Sequence, residues 1–391
     1  MRGIVSRMER SRGMGADSRV AIIRCADYGE EAVYRALSEA VDAAGGLSVT
    51  GKCVLLKPNI VRDAPPERAI TTHPAFLAAA IRLVRARGAA RVLVGDSPGV
   101  QPPGFQAKQS GLGAAALRYG AEWVDFTART VGLSCPEGKM VKHFIVSAAV
   151  EAADVIISLP KLKTHELLYF TGAIKNLFGL VPSVQKSVWH VRFPRREQFA
   201  AMLVDLAVAV QADYALMDAV TGMEGPGPGA GYPRHIGAAL ASANLLALDM
   251  AACMMVGYPP REIPVNREAL DRGLWLTGTE QIVFPALTPA DMAVSDFQRI
   301  PFRRAGGQLA EFFLPPLRKI RARAEKRPRI QDEICVRCGD CARICASRAI
   351  RLEEGGAARR MIIDHRACIR CYCCHEICPA KAITLEKPAR F

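Results

Sequence analysis

At 391 residues the chain is too long for one small core and suits two or three domains, and with half its residues hydrophobic and 23% charged it has the make-up of a folded globular protein rather than a disordered one. Its longest apolar runs, 154–160 and 245–256, fall short of the roughly 20 residues needed to span a bilayer, so no transmembrane helix is expected. The formal charge of +14 divides into +3 for residues 331–391 and +11 for the rest, but the Lys and Arg residues are spread out with little aromatic interleaving; nucleic acid is not expected, and a small anionic substrate or a redox partner protein fits better.

Residues 1–18 are basic and carry no apolar signal core, so they read as a disordered extension and the expected location is cytoplasmic. Short β-branched runs then alternate with helix-length amphipathic segments. Arg19–Cys25, Cys53–Lys57, Arg91–Gly95, Asp154–Leu159 and Tyr214–Met217 read as buried strands, and Glu30–Ala44, Pro74–Arg87 and Phe199–Gln211 as helices. That alternation predicts an α/β domain over 19–260, a mostly parallel sheet with flanking helices.

Ligands bind such sheets at the carboxyl ends of the strands. Here those ends carry Lys57-Pro58-Asn59, Gly95-Asp96-Ser97-Pro98-Gly99, Pro160-Lys161-Leu162-Lys163-Thr164-His165, and Asp218 ahead of a loop with five Gly and three Pro between Gly222 and Pro233. The loop allows close backbone approach to a ligand or a plain surface crossover, and it matches no nucleotide-binding fingerprint. Lys161, Lys163, His165, Lys175, Lys186 and His190 crowd into thirty residues with Glu166 as the one acidic counterpart, interleaved with Leu, Tyr, Phe and Ile. Cations spaced by apolar residues suit the wall of a pocket. Such a pocket holds an anion, depresses lysine pKa values and lets a histidine move protons. On this reading His165 and Lys175 are the candidate catalytic pair, proton donor and anion holder. Lys57, Asn59, Asp96, Lys161, Lys163 and Asp218 are candidate ligand-binding residues.

Residues 261–330 read as a connector with helices of its own, ending in Pro315–Arg329, where seven Lys/Arg meet one Glu. That end reads as a solvated helix or linker, with docking against the following module as the alternative.

Nine of the thirteen cysteines lie between Cys335 and Cys378, in the runs Cys335-x2-Cys338-x2-Cys341-x3-Cys345 and Cys368-x2-Cys371-x2-Cys374-x3-Cys378-Pro379. Two-residue gaps bring three thiolates to three corners of an iron-sulfur cubane, and the fourth cysteine of such a run serves the other cluster. Two [4Fe-4S] clusters are therefore expected. One takes Cys335, Cys338, Cys341 and Cys378; the other takes Cys368, Cys371, Cys374 and Cys345. Ile334–Ile350 and Ala367–Ile383 match in eight of seventeen positions at an offset of 33, the mark of a duplicated half-module, so residues 331–391 are expected to form a small α+β ferredoxin-like domain. Each cluster with its four thiolates carries about −2, taking the module to roughly −1. Disulfides do not suit an odd count with adjacent Cys373-Cys374, and zinc needs only four ligands, typically as separated pairs. Cys345 is followed by Ala346 where proline is usual, and Cys373 is left as a free thiol.

Lys57-Pro58-Asn59, Thr72-His73-Pro74, Gly95–Gly99, Leu159–His165, Gly172-Ala173-Ile174-Lys175-Asn176 and Met217-Asp218 onward to Gly231 resemble the iron-sulfur-associated family called domain of unknown function 362. Members are often fused to a C-terminal ferredoxin, and the family has no assigned reaction, so the resemblance implies the architecture and leaves the substrate open. His165, Gly172, Lys175 and Gly179 also resemble the segment of nickel-pincer lactate racemases in which the lysine carries the cofactor. Three functions follow as expectations. The first is a ferredoxin-coupled oxidoreductase acting on an anionic ligand, the second a non-catalytic electron carrier or cluster-binding partner, and the third an isomerase of the nickel-pincer type.

Overall fold

The computed structural model describes residues 17–102, 104–302, 326–353 and 359–387. In chain order its elements are β1 (Ala21–Arg24), α1 (Glu30–Ala43), β2 (Cys53–Pro58), α2 (Pro74–Ala86), β3 (Arg91–Val94), α3 (Leu112–Arg118), β4 (Glu122–Trp123), β5 (Thr130–Ser134), β6 (His143–Ser147) and α4 (Ala149–Ala152). Next come β7 (Val155–Leu159), β8 (Lys161–His165), β9 (Tyr169–Thr171), α5 (Ala173–Asn176), α6 (Ser183–Arg192), α7 (Arg196–Val210), β10 (Tyr214–Glu224), β11 (Tyr232–Ser242), α8 (Leu245–Met255) and α9 (Pro264–Asp271). The C-terminal part holds β12 (Arg327–Ile330), α10 (Asp340–Ile344), β13 (Ile350–Glu353), β14 (Arg360–Ile363), α11 (Cys373–Ile377) and β15 (Ile383–Glu386).

Nine strands form one sheet in the order β1-β11-β10-β7-β2-β3-β4, with β8 and β9 branching from β10. From β10 to β4 the pairs are parallel, and β8 also runs parallel to β10, while β11 is antiparallel to both its neighbours. Parallel strands need both faces covered, which explains their continuous apolar runs. Alternate residues supply two cores: Leu55, Leu93 and Ile156 face Phe199, Leu203, Leu206, Leu246 and Met250 from α7 and α8. Val54, Leu56, Val94 and Ile157 face Val33, Leu37, Phe76 and Ile81 from α1 and α2. Each such burial contributes about 1.5–3 kcal/mol. The helices start where the sequence supplies caps: the His73 ring accepts from Ala75 N–H with Pro74 opening α2, and Asn244 accepts from Ala247 N–H at the start of α8.

The expected α/β sheet is present, with differences that bear on function. The Lys161–His165 stretch, expected as a polar strand end, is itself strand β8, and Asp218 lies within β10 directly across from Lys161. The glycine-rich segment is mostly strand as well. β10 runs on to Glu224 and β11 starts at Tyr232, leaving only Gly225–Gly231 as a loop. The connector expected over 261–330 is integrated with the α/β domain through residue 302: Ile263, Val265, Ala269, Leu270, Leu276, Ile282, Met292, Phe297 and Ile300 are part of the α7/α8 core. Most of the basic stretch 315–329 lies outside the described residues. No helix among the described residues is long and apolar enough to cross a membrane.

The C-terminal part repeats its own backbone at the offset of 33 seen in its sequence. α10 and α11 correspond, as do β13 and β15. Left-handed residues recur in register at Arg337 and Arg370, Gly339 and Tyr372, and Arg348 and Lys381. Two short antiparallel ladders, β12 with β15 and β13 with β14, cover the cysteine loops.

Candidate functional site

Cys335, Cys338, Cys341 and Cys378 ring one small cavity beneath Ile330, Met361 and Ile383. Cys345 in turn lies within electrostatic reach of Cys368 and Cys374. Cys378, the fourth cysteine of the second run, thus lies with the three of the first, and Cys345 lies near two of the second. Among the described residues no three His, Cys, Asp or Glu side chains converge on a single-ion site. Backbone donors are in place too, Ala349 N–H to Cys345 Sγ at 3.2 Å and its repeat mate Ala382 N–H to Cys378 Sγ at 3.3 Å; such bonds tune cluster potential. The cavity at the first run opens to solvent through exposed Cys338, whereas Cys373 and Cys374 are buried.

Cys374 is buried inside the module with Cys341, Ile350, Met361 and Ile383, whereas Cys373 packs with Ile344, Ile377 and Val100 where the module meets the α/β domain. Arg68 donates to the Pro379 carbonyl at 3.4 Å, Lys381 to the Gly231 carbonyl at 3.2 Å, and Lys326 pairs with buried Glu166 at 3.2 Å. A side chain on Gly229 would meet the Glu376 carbonyl at 2.3 Å. The glycine-rich loop thus makes a close backbone approach, to the cluster module instead of to a ligand.

Between the two domains lies a cavity of about 100 Å³. Its floor is built from the strand ends, its wall from α5 to α7, and its roof from Ile344 of α10 and Cys373, Glu376 and Ile377 of α11. Five expected residues line it together: Lys57, Asn59, Asp96, His165 and Lys175, joined by Ser97, Asn176, Lys186 and His190. Lys161, Lys163 and Asp218 do not. Lys161 pairs with Asp218 at 2.9 Å and donates to Tyr28 Oη at 2.6 Å, and Asp218 accepts from His73 N–H, a closed network under the Tyr28–His73 stack. Lys163 donates to the Ile70 carbonyl at 2.8 Å.

Electrostatics in the cavity follow from burial. Lys57 is fully buried, and desolvation pulls its pKa down. Its Nζ nevertheless donates to Asp96 at 2.9 Å, the Pro58 carbonyl at 2.8 Å and Asn176 Oδ1 at 3.1 Å, three acceptors for three protons, so it stands as an ammonium. Asp96 also accepts from Ile60 and Ser97 N–H, tying two strand ends together. Lys175 has no hydrogen-bond or ion-pair partner among the described residues; burial lowers its pKa, opposed by the nearby Glu376 carboxylate. Lys175 is placed by α5, whose first N–H groups, on Ala173 and Ile174, donate to the buried Asp249 carboxylate at 2.5 and 3.1 Å. A Cβ at Gly172 would lie 2.1 Å from that carboxylate, which explains the glycine. Lys186 donates to the Ser97 carbonyl, and desolvation draws it down to about 7. His190, stacked on Phe199 at 4.2 Å, is held neutral by burial at about 3.

His165 differs from its expected role. Nδ1 accepts from Leu167 and Leu168 N–H at 3.1 and 3.2 Å, so the ring proton sits on Nε2, which is 3.3 Å from Glu376 Oε1. Burial, then the positive charge of Lys175, holds its pKa well below the usual histidine range. It is a fixed neutral N–H donor. Glu376 and Cys373 were missed as pocket residues because the spacing argument reads cysteines as ligands and passes over what lies between them. Their signal is periodicity: Cys373 and Glu376 are three apart on a helix that also carries Cys374.

The family described as domain of unknown function (DUF362) matches residues 54–254, and the 4Fe-4S dicluster domain matches residues 334–382. A thylakoid-associated protein of Synechocystis sp. is 31% identical over 283 residues, covering 71% of this chain and 87% of the relative. Among solved structures, the lactate racemase apoprotein of Thermoanaerobacterium thermosaccharolyticum aligns at 13% identity and a TM-score of 0.41, covering 61% of this chain and 57% of its own. A Thermotoga maritima protein aligns at 15% identity and a TM-score of 0.36, covering 57% of this chain and 58% of its own. Less than two thirds of either solved chain is spanned. With its α/β region and its cysteine-rich end both matched, the chain belongs to the domain of unknown function 362 family and carries a C-terminal dicluster domain for two [4Fe-4S] clusters.

Proposed function

We propose that the protein is an oxidoreductase that binds a small anion between its two domains and exchanges electrons with it. One observation carries this reading: α11 holds cluster ligand Cys374 and, on the same turn, roofs a cationic cavity with Cys373, Glu376 and Ile377. The clusters, when bound, supply electrons one at a time. The chain's own residues do the rest. Lys175, half-buried and with no partner among the described residues, draws in the anion; the Lys57–Asp96 pair and Asn176 hold the floor rigid; α10 and α11 keep water out. His165 orients the ligand through Nε2–H. Lys186, poised near neutrality, is better matched than neutral His165 to give a proton at pH 7. Thirteen unpaired cysteines suit a reducing compartment such as the cytoplasm.

The test is reoxidation of the anaerobically reduced holoprotein, followed by visible absorption during a screen of small anions. A rate increase with one of them, lost about 10- to 150-fold in Lys175→Ala, is the expected result, since a hydrogen bond to a charged group contributes about 1.5–3 kcal/mol. If no anion accelerates reoxidation and a protein acceptor drains wild type and Lys175→Ala equally, the chain is an electron carrier. A second reading is favoured by the convergence of His165, Lys175 and Gly179 on one cavity: an isomerase with a cofactor bonded to Lys175. Intact mass of the natively purified chain decides it, because an unmodified Lys175 removes that reading.

A further inference from the structure

The cavity's unmet hydrogen bonds define its guest. Asn176 Nδ2 donates to the Lys57 carbonyl at 3.0 Å and to Ser158 Oγ at 3.1 Å, so its Oδ1 must face Lys57 and Asn59. Asn59 Nδ2 donates to that Oδ1 at 3.1 Å. With both amide orientations fixed by this chain of bonds, Asn59 Oδ1 is an acceptor, and it is buried without a partner among the described residues. Ser97 Oγ is buried and unpartnered in the same way, while Glu376 Oε1 has only the approach of His165 Nε2 at 3.3 Å, and all three residues line the one cavity. A buried polar atom left without a partner costs about 1–3 kcal/mol, too much to repeat in one place without a guest that returns it.

The guest must also satisfy Lys175, a half-buried ammonium with no acceptor among the described residues. Lys57 is already matched by Asp96, both cavity histidines are neutral, and the Glu376 carboxylate offsets one of the two remaining ammonium groups, Lys175 and Lys186, so one positive charge is left to balance. Phosphate and sulfate dianions bring too much charge, acetate brings no donor, and an amino-acid zwitterion sets a second ammonium beside Lys57 and Lys175. Resting on the ligand-binding reading above, we propose that the cavity takes a small carboxylate monoanion bearing an uncharged hydrogen-bond donor, a hydroxyl or an amide N–H, with the carboxylate at Lys175 and the donor at Asn59 Oδ1. About 100 Å³ limits it to a few heavy atoms.

Anaerobic titration calorimetry of the cluster-loaded protein with acetate, glycolate, oxamate and glycine tests this. Glycolate or oxamate should bind at least about tenfold tighter than acetate, the equivalent of one hydrogen bond; which of the two leads identifies the donor. Asn59→Leu should remove the preference, so that within the variant the tighter ligand binds no better than acetate. Ser97→Ala, which disturbs less, should narrow the gap in the same direction. Equal binding of acetate, tighter binding of glycine, or no heat from any of the four overturns the proposal. The redox reading fails separately: donor-selective binding with no effect on reoxidation refutes it and leaves the ligand class standing, while reoxidation driven by an anion without donor preference does the reverse.

Discussion

Substituting Gly179 by alanine should damage the cavity floor from a position that makes no side-chain contact of its own. A Cβ there would sit 1.9 Å from Asp96 Oδ1 and 2.3 Å from Lys57 Nζ. The backbone is not free to retreat, because the Gly179 carbonyl accepts from Ser97 N–H at 3.2 Å. The methyl group must therefore part Lys57 from Asp96, a pair 2.9 Å apart with at most 2% of either side chain exposed. Breaking such a pair costs about 3–5 kcal/mol. At roughly 2–4 °C per kcal/mol the melting temperature should fall by roughly 6–20 °C. Gly132 in β5 is the control, since a Cβ there meets nothing within 4 Å, and its alanine variant should stay within about 0.5 kcal/mol of wild type. Scanning calorimetry of the anaerobic holoprotein at one fixed rate compares the two. Gly179→Ala melting alongside Gly132→Ala would refute the claim that this ion pair is rigid and stabilising.

Cys378→Ser should strip iron from the first cysteine run and Cys345→Ser from the second, each lowering iron from about eight to about four per chain; loss from the substituted cysteine's own run would show that the ligands do not cross. Anion affinity should fall as pH rises through about 7, because Lys186 loses its charge there, and Lys186→Met should flatten that profile. The same depressed pKa fixes the sign for folding. Between about 7 and the unfolded value of 10.5 the unfolded chain binds the extra proton, so stability attributable to Lys186 rises with pH across that window, and Lys186→Met should remove the slope in denaturant titrations. Gly229→Ala should push the Glu376 backbone away and speed amide hydrogen exchange over Cys373–Ile377; unchanged exchange there would mean that the loop does not seat the cluster module.

The parallel sheet was legible because strands buried on both faces leave uninterrupted Val-Ile-Leu runs, as at Cys53–Lys57 and Asp154–Leu159. The dicluster module was legible because cubane geometry constrains cysteine spacing tightly, so that two runs of four announce two clusters. Lys161 and Asp218 were grouped with the cavity by proximity in sequence, yet β8 pairs in register with β10 and turns them toward each other. Lys161, Lys163 and the pocket residue His165 share one parity along β8, so strand alternation does not tell them apart; the partner each meets across the sheet does. The residues 261–302 looked like a connector because they contain turns and short helices, while their apolar side chains are spaced to fill a core that only the tertiary structure reveals.

The turn that carries Cys374 also carries Glu376 and Ile377, so iron and cavity share one short helix. If the proposed function holds, iron lost from the second run should cost the cavity its roof, and anion binding should disappear with the cluster and return when iron is restored.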